Sequence, residues 1–583
     1  MKSPRVEAPN MTSFEIQSIP FDDGAISVWS EADPKRSNWP IVYSIDNDKE
    51  IYIGETLNAA ARLGQHLSTK ERQHLKRVRI LLDETFNKSV CLDLESHLIR
   101  YFHGDGKYKV LNKNSGITDA DYFNRDQYRK QFESIYEKLL EEGLFTKTIP
   151  EIVNSNLFKY SPFKALTSDQ QLAVDLILRN LFESDGQTIV VKGEPGTGKT
   201  IVAVYIAKLL SDIRSSQADD DLAEDEIFAH YFTDNYRQLL TNYKIGFVIP
   251  QQSLRKTIQH VFRNTPGLDH KMVMTQFEAG DTDEHFDLLI VDEAHRLQRR
   301  ANQPSASLNT KYKIINEKLF GEDRDEITQL DWLLKKSDHQ IFLLDKDQRV
   351  KPADLDNRAI DDVVSKAETN GSIFSLKSQM RVKAGSGYVN FISDLISGKK
   401  PQPIDFGDYD FMIFDNLGDM RDEILKRDDE HGLSRLVAGY AWDWVSKTDP
   451  TKPDIVVDGV ELFWNRSAVD WVNSPTSRDE VGSIHTIQGY DLNYAGVIIG
   501  KDIGYDEKTG KVFFRRENYF DKKGKENNPR LGIEFSDKDL LDYVLNVYRV
   551  LLTRGVLGTY VYIEDPDLEE VIRGSNQSSP GAE

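Results

Sequence analysis

The chain has 583 residues and a mass of 66.8 kDa, which at roughly 150 residues per domain implies three or four compact units and excludes a peptide or a single module. Hydrophobic residues make up 39% of it and charged residues 29%, and no apolar run reaches the roughly 18 to 20 residues of a membrane span, so a soluble globular protein is expected. The net charge of -21 argues against a protein that coats nucleic acid through its overall field, while leaving local basic grooves open.

Residues 1–150 are nearly balanced, with 21 Lys+Arg against 23 Asp+Glu, so the acidic excess lies beyond them. Within that first part, Arg62, Lys70, Arg72, Lys76, Arg77 and Arg79 stand against a lone Glu71. Taken by itself this patch reads as a solvated helical face. A single cysteine, Cys91, excludes an internal disulfide framework and any multi-thiolate zinc site. Met1 to Phe14 lacks the apolar core of an export signal, which makes a cytoplasmic location the expectation.

In chain order, residues 1–37 read as an arm or edge element. Ile41–Ile45 and Ile51–Ile53 follow as two short strands joined across the turn-prone Asp46-Asn47-Asp48, a predicted β-hairpin. Helical spacing then covers Leu57–Leu67 and Ser89–Tyr101, and residues 118–160 read as a helical connector. Apolar strands alternate with helices afterwards: Thr188–Lys192, Gly246–Pro250, Phe286–Asp292 and Gln340–Asp345, the pattern of a parallel α/β sheet. An acidic insertion spans residues 212–226. A second α/β pattern is expected from about 372, through Phe411–Phe414, Asp454–Val457, Gly496–Gly500 and Thr559–Ile563, before a disordered tail from Gly574.

Gly193-Glu194-Pro195-Gly196-Thr197-Gly198-Lys199-Thr200 follows an apolar strand and opens a helix, which is the context a phosphate-binding loop needs. Gly193, Gly196 and Gly198 let backbone N–H groups turn towards phosphates, Lys199 reaches the β and γ oxygens, and Thr200 is a magnesium ligand. Phe286–Val291 ends in Asp292-Glu293, where an α/β sheet presents its ligand edge. Asp292 would orient magnesium and Glu293 would polarise the water attacking the γ-phosphate.

With Asp292-Glu293-Ala294-His295, these blocks resemble a superfamily 1 helicase. The resemblance implies that Gln170, in Leu166-Thr167-Ser168-Asp169-Gln170, reads adenine, and that Gln348, in Leu344-Asp345-Lys346-Asp347-Gln348, senses the γ-phosphate. Arg381, in Gln379-Met380-Arg381, and Arg554, in Val550-Leu551-Leu552-Thr553-Arg554-Gly555, become candidate arginine fingers, and Ser483–Asp491 resembles the fifth motif. Ser434–Trp444 is similar to the bacterial group related to the Schlafen helicase region. Between Lys501 and Arg530, nine Lys+Arg and six Asp+Glu accompany Phe513, Phe514, Tyr519 and Phe520, a composition suited to gripping single strands or to a solvated hairpin.

Val42-Tyr43, followed by Tyr52-Ile53-Gly54, Glu55-Thr56, Arg62, His66, Glu95 and Asn112, resembles a GIY-YIG endonuclease domain, with Ile41-Val42-Tyr43 in place of Gly-Ile-Tyr. The resemblance implies one divalent ion, Mg²⁺ or Mn²⁺, held by Glu95, with Tyr43 activating or orienting water, Tyr52 and Arg62 placing the scissile phosphate, and His66 contacting phosphate or moving a proton. Phosphodiester cleavage needs such a set: a hard cation, an oxygen ligand and a fixed positive charge near the developing dianion.

The expected fold class is therefore α/β, a small mixed α/β GIY-YIG domain followed by two RecA-like parallel-sheet lobes. The expected boundaries are an arm at 1–37, the nuclease at 38–117, a connector at 118–160, lobe 1 at 161–350, lobe 2 at 351–573 and a tail at 574–583. The expected function is an ATP-dependent DNA helicase or translocase fused to a magnesium-dependent endonuclease, in foreign-DNA defence or repair. Single-stranded or branched DNA is the expected partner, with no membrane; RNA, a protein partner and self-association stay open. Two alternatives stand beside it: an NTP-sensing switch that gates a nuclease or a partner without unwinding, and a non-cleaving N-terminal DNA clamp.

Overall fold

The computed structural model describes residues 14–33, 36, 38–70, 72–112, 122–184, 186–216, 228–300, 303, 305–345, 348, 352–378, 385–399, 405–467, 471–487, 490–527 and 529–576. The chain divides into two compact units, one of Met1–Leu166, Val204–Gln238 and Gln259–His270, the other of Thr167–Ala203, Leu239–Ile258 and Lys271–Glu583.

The first unit is built on a five-stranded sheet of β1 (Glu15–Pro20), β2 (Ile41–Asp46), β3 (Glu50–Thr56), β4 (Arg77–Leu82) and β5 (Lys109–Val110), in the order β1-β4-β2-β3-β5. The expected hairpin is present: β2 and β3 pair antiparallel with Tyr43 opposite Gly54 and Ile45 opposite Tyr52. Asp48 takes a left-handed φ of 71°, and the Asn47 side chain accepts the Lys49 and Glu50 amides, which is how an Asx residue closes a turn. Strand alternation sends Ile41, Tyr43 and Ile45 to one face, against Ala59 and Leu63 of the helix Ala59–Ser68. Val42, Ile51 and Ile53 face the other side, against Val90, Cys91 and Leu94 of the helix Lys88–Asp105.

Of the arm or edge element expected over residues 1–37, Glu15–Pro20 is an edge strand of this sheet, and the helix Asp23–Glu31 follows it. The expected connector is also part of the unit's core: Tyr128, Phe132, Ile135, Tyr136 and Leu139 of the helix Arg125–Glu141 share one cluster with Val42 and Ile53. The recurring aromatic residues marked helix correctly, but a helix with that much apolar surface has to bury it rather than span between domains.

The second unit holds two further sheets. One comprises β6 (Thr188–Gly193), β7 (Ile245–Val248), β8 (Val273–Met274), β9 (Phe286–Val291), β10 (Ser337–Leu344) and β11 (Ile373–Leu376), ordered β11-β6-β10-β9-β7-β8 with every pairing parallel. Such crossovers, each strand returning through a helix, give a RecA-like α/β lobe. The apolar run of β11 pairs with β6, so the chain stays with this sheet through Leu376, past the expected change of lobe at 350/351. A helical insertion, Ala306–Phe320 and Gln329–Lys336, packs Tyr312, Ile315, Ile327 and Trp332 on Phe277.

The other sheet contains β12 (Asp410–Phe414), β13 (Ser434–Ala438), β14 (Ile455–Val457), β15 (Val460–Trp464), β16 (Glu480–Ser483) and β17 (Leu492–Ile499). After a separate hairpin, β18 (Ile503–Asp506) and β19 (Lys511–Phe514), the chain returns as β20 (Gly555–Ile563). The order is β12-β20-β17-β13-β16-β15-β14, parallel except at the β14–β15 edge. The helix Pro566–Asn576 carries order past the expected start of the tail at Gly574. The acidic stretch 217–227, Arg381 and residues 577–583 lie outside the described residues. No described helix is long and apolar enough to cross a membrane.

Candidate functional site

In the second unit, β10 lies between β6 and β9, so their carboxyl ends bring Gly193, Asp345 and Asp292 to one edge of the sheet. The loop after β6 uses its glycines for specific reasons. Gly196 and Gly198 take φ of 87° and 81°, which L side chains rarely adopt. A Cβ on Gly193 would fall 2.3 Å from Thr197 Oγ1.

Lys199, which opens the helix Lys199–Ser215, is buried. Its Nζ donates to Gly193 O at 2.6 Å and Glu194 O at 3.1 Å, and lies 3.4 Å from Asp345 Oδ2. Thr200 Oγ1 donates to Asp292 Oδ2 at 2.7 Å. Two adjacent oxygen donors at a helix N-terminus suit a magnesium ion that keeps its other positions for water and phosphate.

Glu293 sits at φ 52°, ψ 41°, an uncommon conformation for a side-chain-bearing residue and one that recurs at working sites. Its buried Oε2 lies 3.1 Å from His295 Nε2. The Asp345 amide donates to His295 Nδ1 at 3.3 Å, so the imidazole proton belongs on Nε2, facing Glu293. Burial alone would raise the Glu293 carboxyl, but the His295 ring, then Arg296 and Lys199, hold it low. Burial and the neighbouring Glu293 push the Asp292 carboxyl upward. Among the described residues, Gln348 Oε1 and two Arg296 guanidinium nitrogens, Nε and Nη2, are buried without hydrogen-bond partners. A glycine loop with Lys199, Thr200, Asp292 and Glu293 at one sheet edge fits a nucleotide with its cation.

Gln170 and Gln348 both make buried polar contacts at this edge of the sheet. Gln170 is fully buried; its Oε1 accepts the Thr167 amide at 3.1 Å and its Nε2 donates to Thr197 O at 2.9 Å. Gln348 Nε2 donates to Asp345 Oδ2 at 2.6 Å, the same oxygen that faces Lys199. Neighbouring Asp169 accepts from the Lys377 amide at 2.7 Å and the Ser378 amide at 2.9 Å, on the segment leading to Arg381. Arg554 is buried, with Nη1 donating to Tyr490 O at 3.4 Å.

Several cations between Lys501 and Arg530 are engaged within the fold. Arg515 pairs with Asp565 at 2.6 Å, Arg516 with Asp537 at 2.6 Å and Lys523 with Glu526 at 2.7 Å, while Arg530 pairs with Asp325 and, at 3.1 Å, with Asp323. These four of the nine cations of this stretch are thus ion-paired, three of them to carboxylates outside it.

In the first unit, Tyr43 is fully buried, and its hydroxyl lies 2.7 Å from His66 Nε2. Arg62 and His66 stand one turn apart on the helix capped by Asn58, whose side chain accepts the Ala61 amide. Arg62 hydrogen-bonds both Tyr43 and Tyr52, and the charge of Glu95 acts on both phenols. Burial raises both phenols above their ordinary value. The Tyr52 ring meets His66 edge-on at 4.9 Å between centroids. Gly54 is required beside Tyr43, because a Cβ there would fall 2.4 Å from the tyrosine oxygen. Asn112 ties the end of the unit to β3, accepting the Ile53 amide at 3.1 Å and donating to Ile53 O at 2.8 Å.

Tyr43, Tyr52, Arg62, His66 and Glu95 therefore converge. Among the described residues no group of three His, Cys, Asp or Glu side chains forms a metal cage. Arg72, absent from the expected set, also enters: its guanidinium lies 4.0 Å from the Tyr52 ring centroid and bonds His66 Nδ1. Its only signal in the sequence was membership of the basic run from Arg62 to Arg79.

The family model for the Schlafen group 3 DNA/RNA helicase domain matches residues 186–565. The uncharacterized protein YPL245W of Saccharomyces cerevisiae is 27% identical over 415 residues, covering 65% of this chain and 82% of its own. Among solved structures, the Pif1 helicase from Candida albicans aligns over 71% of this chain and 100% of its own, with 12% identity and a TM-score of 0.26. The Bacteroides Pif1 helicase in complex with ADP-AlF3 and ssDNA aligns over 68% of this chain and 92% of its own, with 11% identity and a TM-score of 0.23.

Proposed function

Because the chain belongs to the Schlafen group 3 DNA/RNA helicase domain family, we propose that it is an ATP-driven DNA helicase or translocase whose N-terminal unit carries a magnesium-dependent endonuclease of GIY-YIG type. In this reading the five-stranded sheet and its helices are the nuclease, and the two parallel sheets of the second unit are the RecA-like lobes of the motor.

The observation that carries the motor is the Lys199, Thr200 and Asp292 arrangement at one sheet edge, with Thr200 and Asp292 in contact at 2.7 Å. Lys199 would exchange its loop carbonyls for the β and γ oxygens of ATP, and Thr200 and Asp292 would hold a Mg²⁺ ion, whose charge would offset that of the phosphates. Glu293, kept anionic by its neighbours, takes the proton of the attacking water. Arg381 and Arg554 are proposed to stabilise the transferring phosphoryl group.

The nuclease reading is supported by the contacts among Tyr43, Tyr52, Arg62 and His66 and by the charge of Glu95 acting on both phenols. Glu95 would hold the divalent cation, Mg²⁺ or Mn²⁺, that stabilises the leaving oxygen. Arg62 supplies fixed positive charge beside the scissile phosphate, and Tyr43 orients the attacking water. A motor beside a nuclease suits the finding and cutting of foreign or damaged DNA, the setting proposed here. Cleavage of supercoiled, linear and forked DNA with magnesium, with and without ATP, tests the proposal on wild type, Glu95→Ala and Lys199→Ala. The expected result is cleavage that requires Glu95 and responds to ATP only when Lys199 is present. Cleavage that survives Glu95→Ala, or RNA cut in preference to DNA, would refute it.

A further inference from the structure

Arg72 has no part in the chemistry proposed for the N-terminal site, yet it touches two of the site's rings. Its guanidinium carbon lies 4.0 Å from the Tyr52 centroid, and its Nη1 bonds His66 Nδ1. An arginine side chain can only donate, so Nδ1 is the accepting lone pair. The ring then carries its single proton on Nε2, the nitrogen 2.7 Å from the Tyr43 hydroxyl. That contact therefore runs from His66 Nε2–H to the tyrosine oxygen. Tyr43, accepting from the imidazole, directs its own proton away from it.

We propose that Arg72 is a positioning residue of this site: by occupying Nδ1 it fixes His66 as a hydrogen-bond donor to Tyr43 and bars the ring from accepting the Tyr43 proton. A relay passing a proton from Tyr43 to His66 is thereby excluded, and water must meet Tyr43 through the hydroxyl's own O–H. The neutral ring this requires agrees with burial, Arg72 and Arg62 all holding the imidazole far below its ordinary pKa. The catalytic consequence rests on the nuclease reading above; the direction of the hydrogen bond does not.

The test uses the full-length chain labelled with ¹⁵N-histidine, with the His66 imidazole resonances assigned by their loss in His66→Gln. Wild type is expected to show Nε2 protonated and Nδ1 bare. Arg72→Leu should average the two nitrogens and lower kcat for cleavage of forked DNA by about 10- to 100-fold, with KM within about twofold, as expected for losing a residue that orients another. Arg72→Lys, which still donates, should keep the tautomer and most of the rate, separating positioning from collapse of the fold. A wild-type ring protonated on Nδ1, or an Arg72→Leu chain with unchanged imidazole resonances and unchanged kcat, would overturn the proposal. Should wild type cut no DNA, the nuclease reading falls while the imidazole resonances alone still decide what Arg72 does.

Discussion

Replacing Gly54 with alanine tests how β2 and β3 build the N-terminal site. The new Cβ would lie 2.4 Å from Tyr43 Oη and 2.5 Å from Cζ, inside the 3.0 Å that real Cβ contacts respect. Tyr43 has little room to retreat: it is fully buried among Ile41, Ile45 and Leu63, and its hydroxyl is held at 2.7 Å from His66. Overpacking a core in this way costs about 1–3 kcal/mol, and the displaced hydrogen bond adds about 1 kcal/mol. The sum, about 2–4 kcal/mol, corresponds to roughly 30- to 700-fold faster local exchange at tenfold per 1.4 kcal/mol. Amide hydrogen exchange of peptides covering Ile41–Thr56 reads this directly, with β9 peptides of the second unit as an unchanged reference. In the double variant Gly54→Ala/Tyr43→Ala the added methyl group should cost almost nothing beyond Tyr43→Ala alone, because the clashing ring is gone. Exchange within about threefold of wild type in the single variant would refute the packing on which the site depends.

Glu293→Gln keeps the side-chain shape but removes the base, so phosphate release should slow by about 10²- to 10⁴-fold while equilibrium binding of ATP is retained. Asp323→Ala strips Arg300 of a two-pronged partner at 2.7 and 2.9 Å. Arg300 is buried, and a loss near about 3 kcal/mol is expected, the lower end for breaking a buried pair because Asp323 keeps some contact with water; faster proteolysis of the helix Ala306–Phe320 is the readout. Burial holds His66 down to about 2 and His103 to about 4. An unfolded histidine takes up its proton near pH ~6.5, so the unfolded chain binds more protons below that pH and the first unit loses stability as pH falls from there towards the folded values. Each such group contributes up to about 1.4 kcal/mol per pH unit, and His66→Gln should visibly flatten the acid dependence of exchange in β2 between neutral pH and pH ~5. An unchanged slope would mean that His66 is not buried as a neutral ring.

The α/β class, the hairpin and the strands that end in Gly193, Asp292 and Asp345 were legible because each carries a local signal: apolar runs, turn residues, a glycine loop. What was hidden depends on contacts distant in sequence. β11 looks like the start of a second pattern and is placed by its pairing with β6. The helix Arg125–Glu141 reads as a connector because nothing in its own periodicity says that Val42 and Ile53 will receive its aromatic face. The basic run from Arg62 to Arg79 shows the same limit residue by residue. Arg62 and Arg72 turn into the site, whereas Arg79 forms a buried ion pair with Asp46 across β2 and β4. Composition reports the charges and is silent on which of them a fold will bury.

The ATP edge shows how a few such contacts make a loop responsive. Asp345 Oδ2 is shared: Lys199 Nζ stands 3.4 Å from it and Gln348 Nε2 donates to it at 2.6 Å. A phosphate that drew Lys199 from its loop carbonyls would change the charge facing that oxygen, and Gln348 would sense the change through Asp345. On the other side, Gln170 holds Thr197 O while the preceding residue, Asp169, accepts from the backbone of Lys377 and Ser378. The same short turn thus touches the phosphate loop with one side chain and the segment leading to Arg381 with the next. Both connections are made by short polar contacts, buried at Gln170, Gln348 and Asp345 and more exposed at Asp169. A nucleotide entering the loop would therefore act on Gln348 and on the approach to Arg381 together, which is what coupling of hydrolysis to motion of a second lobe requires.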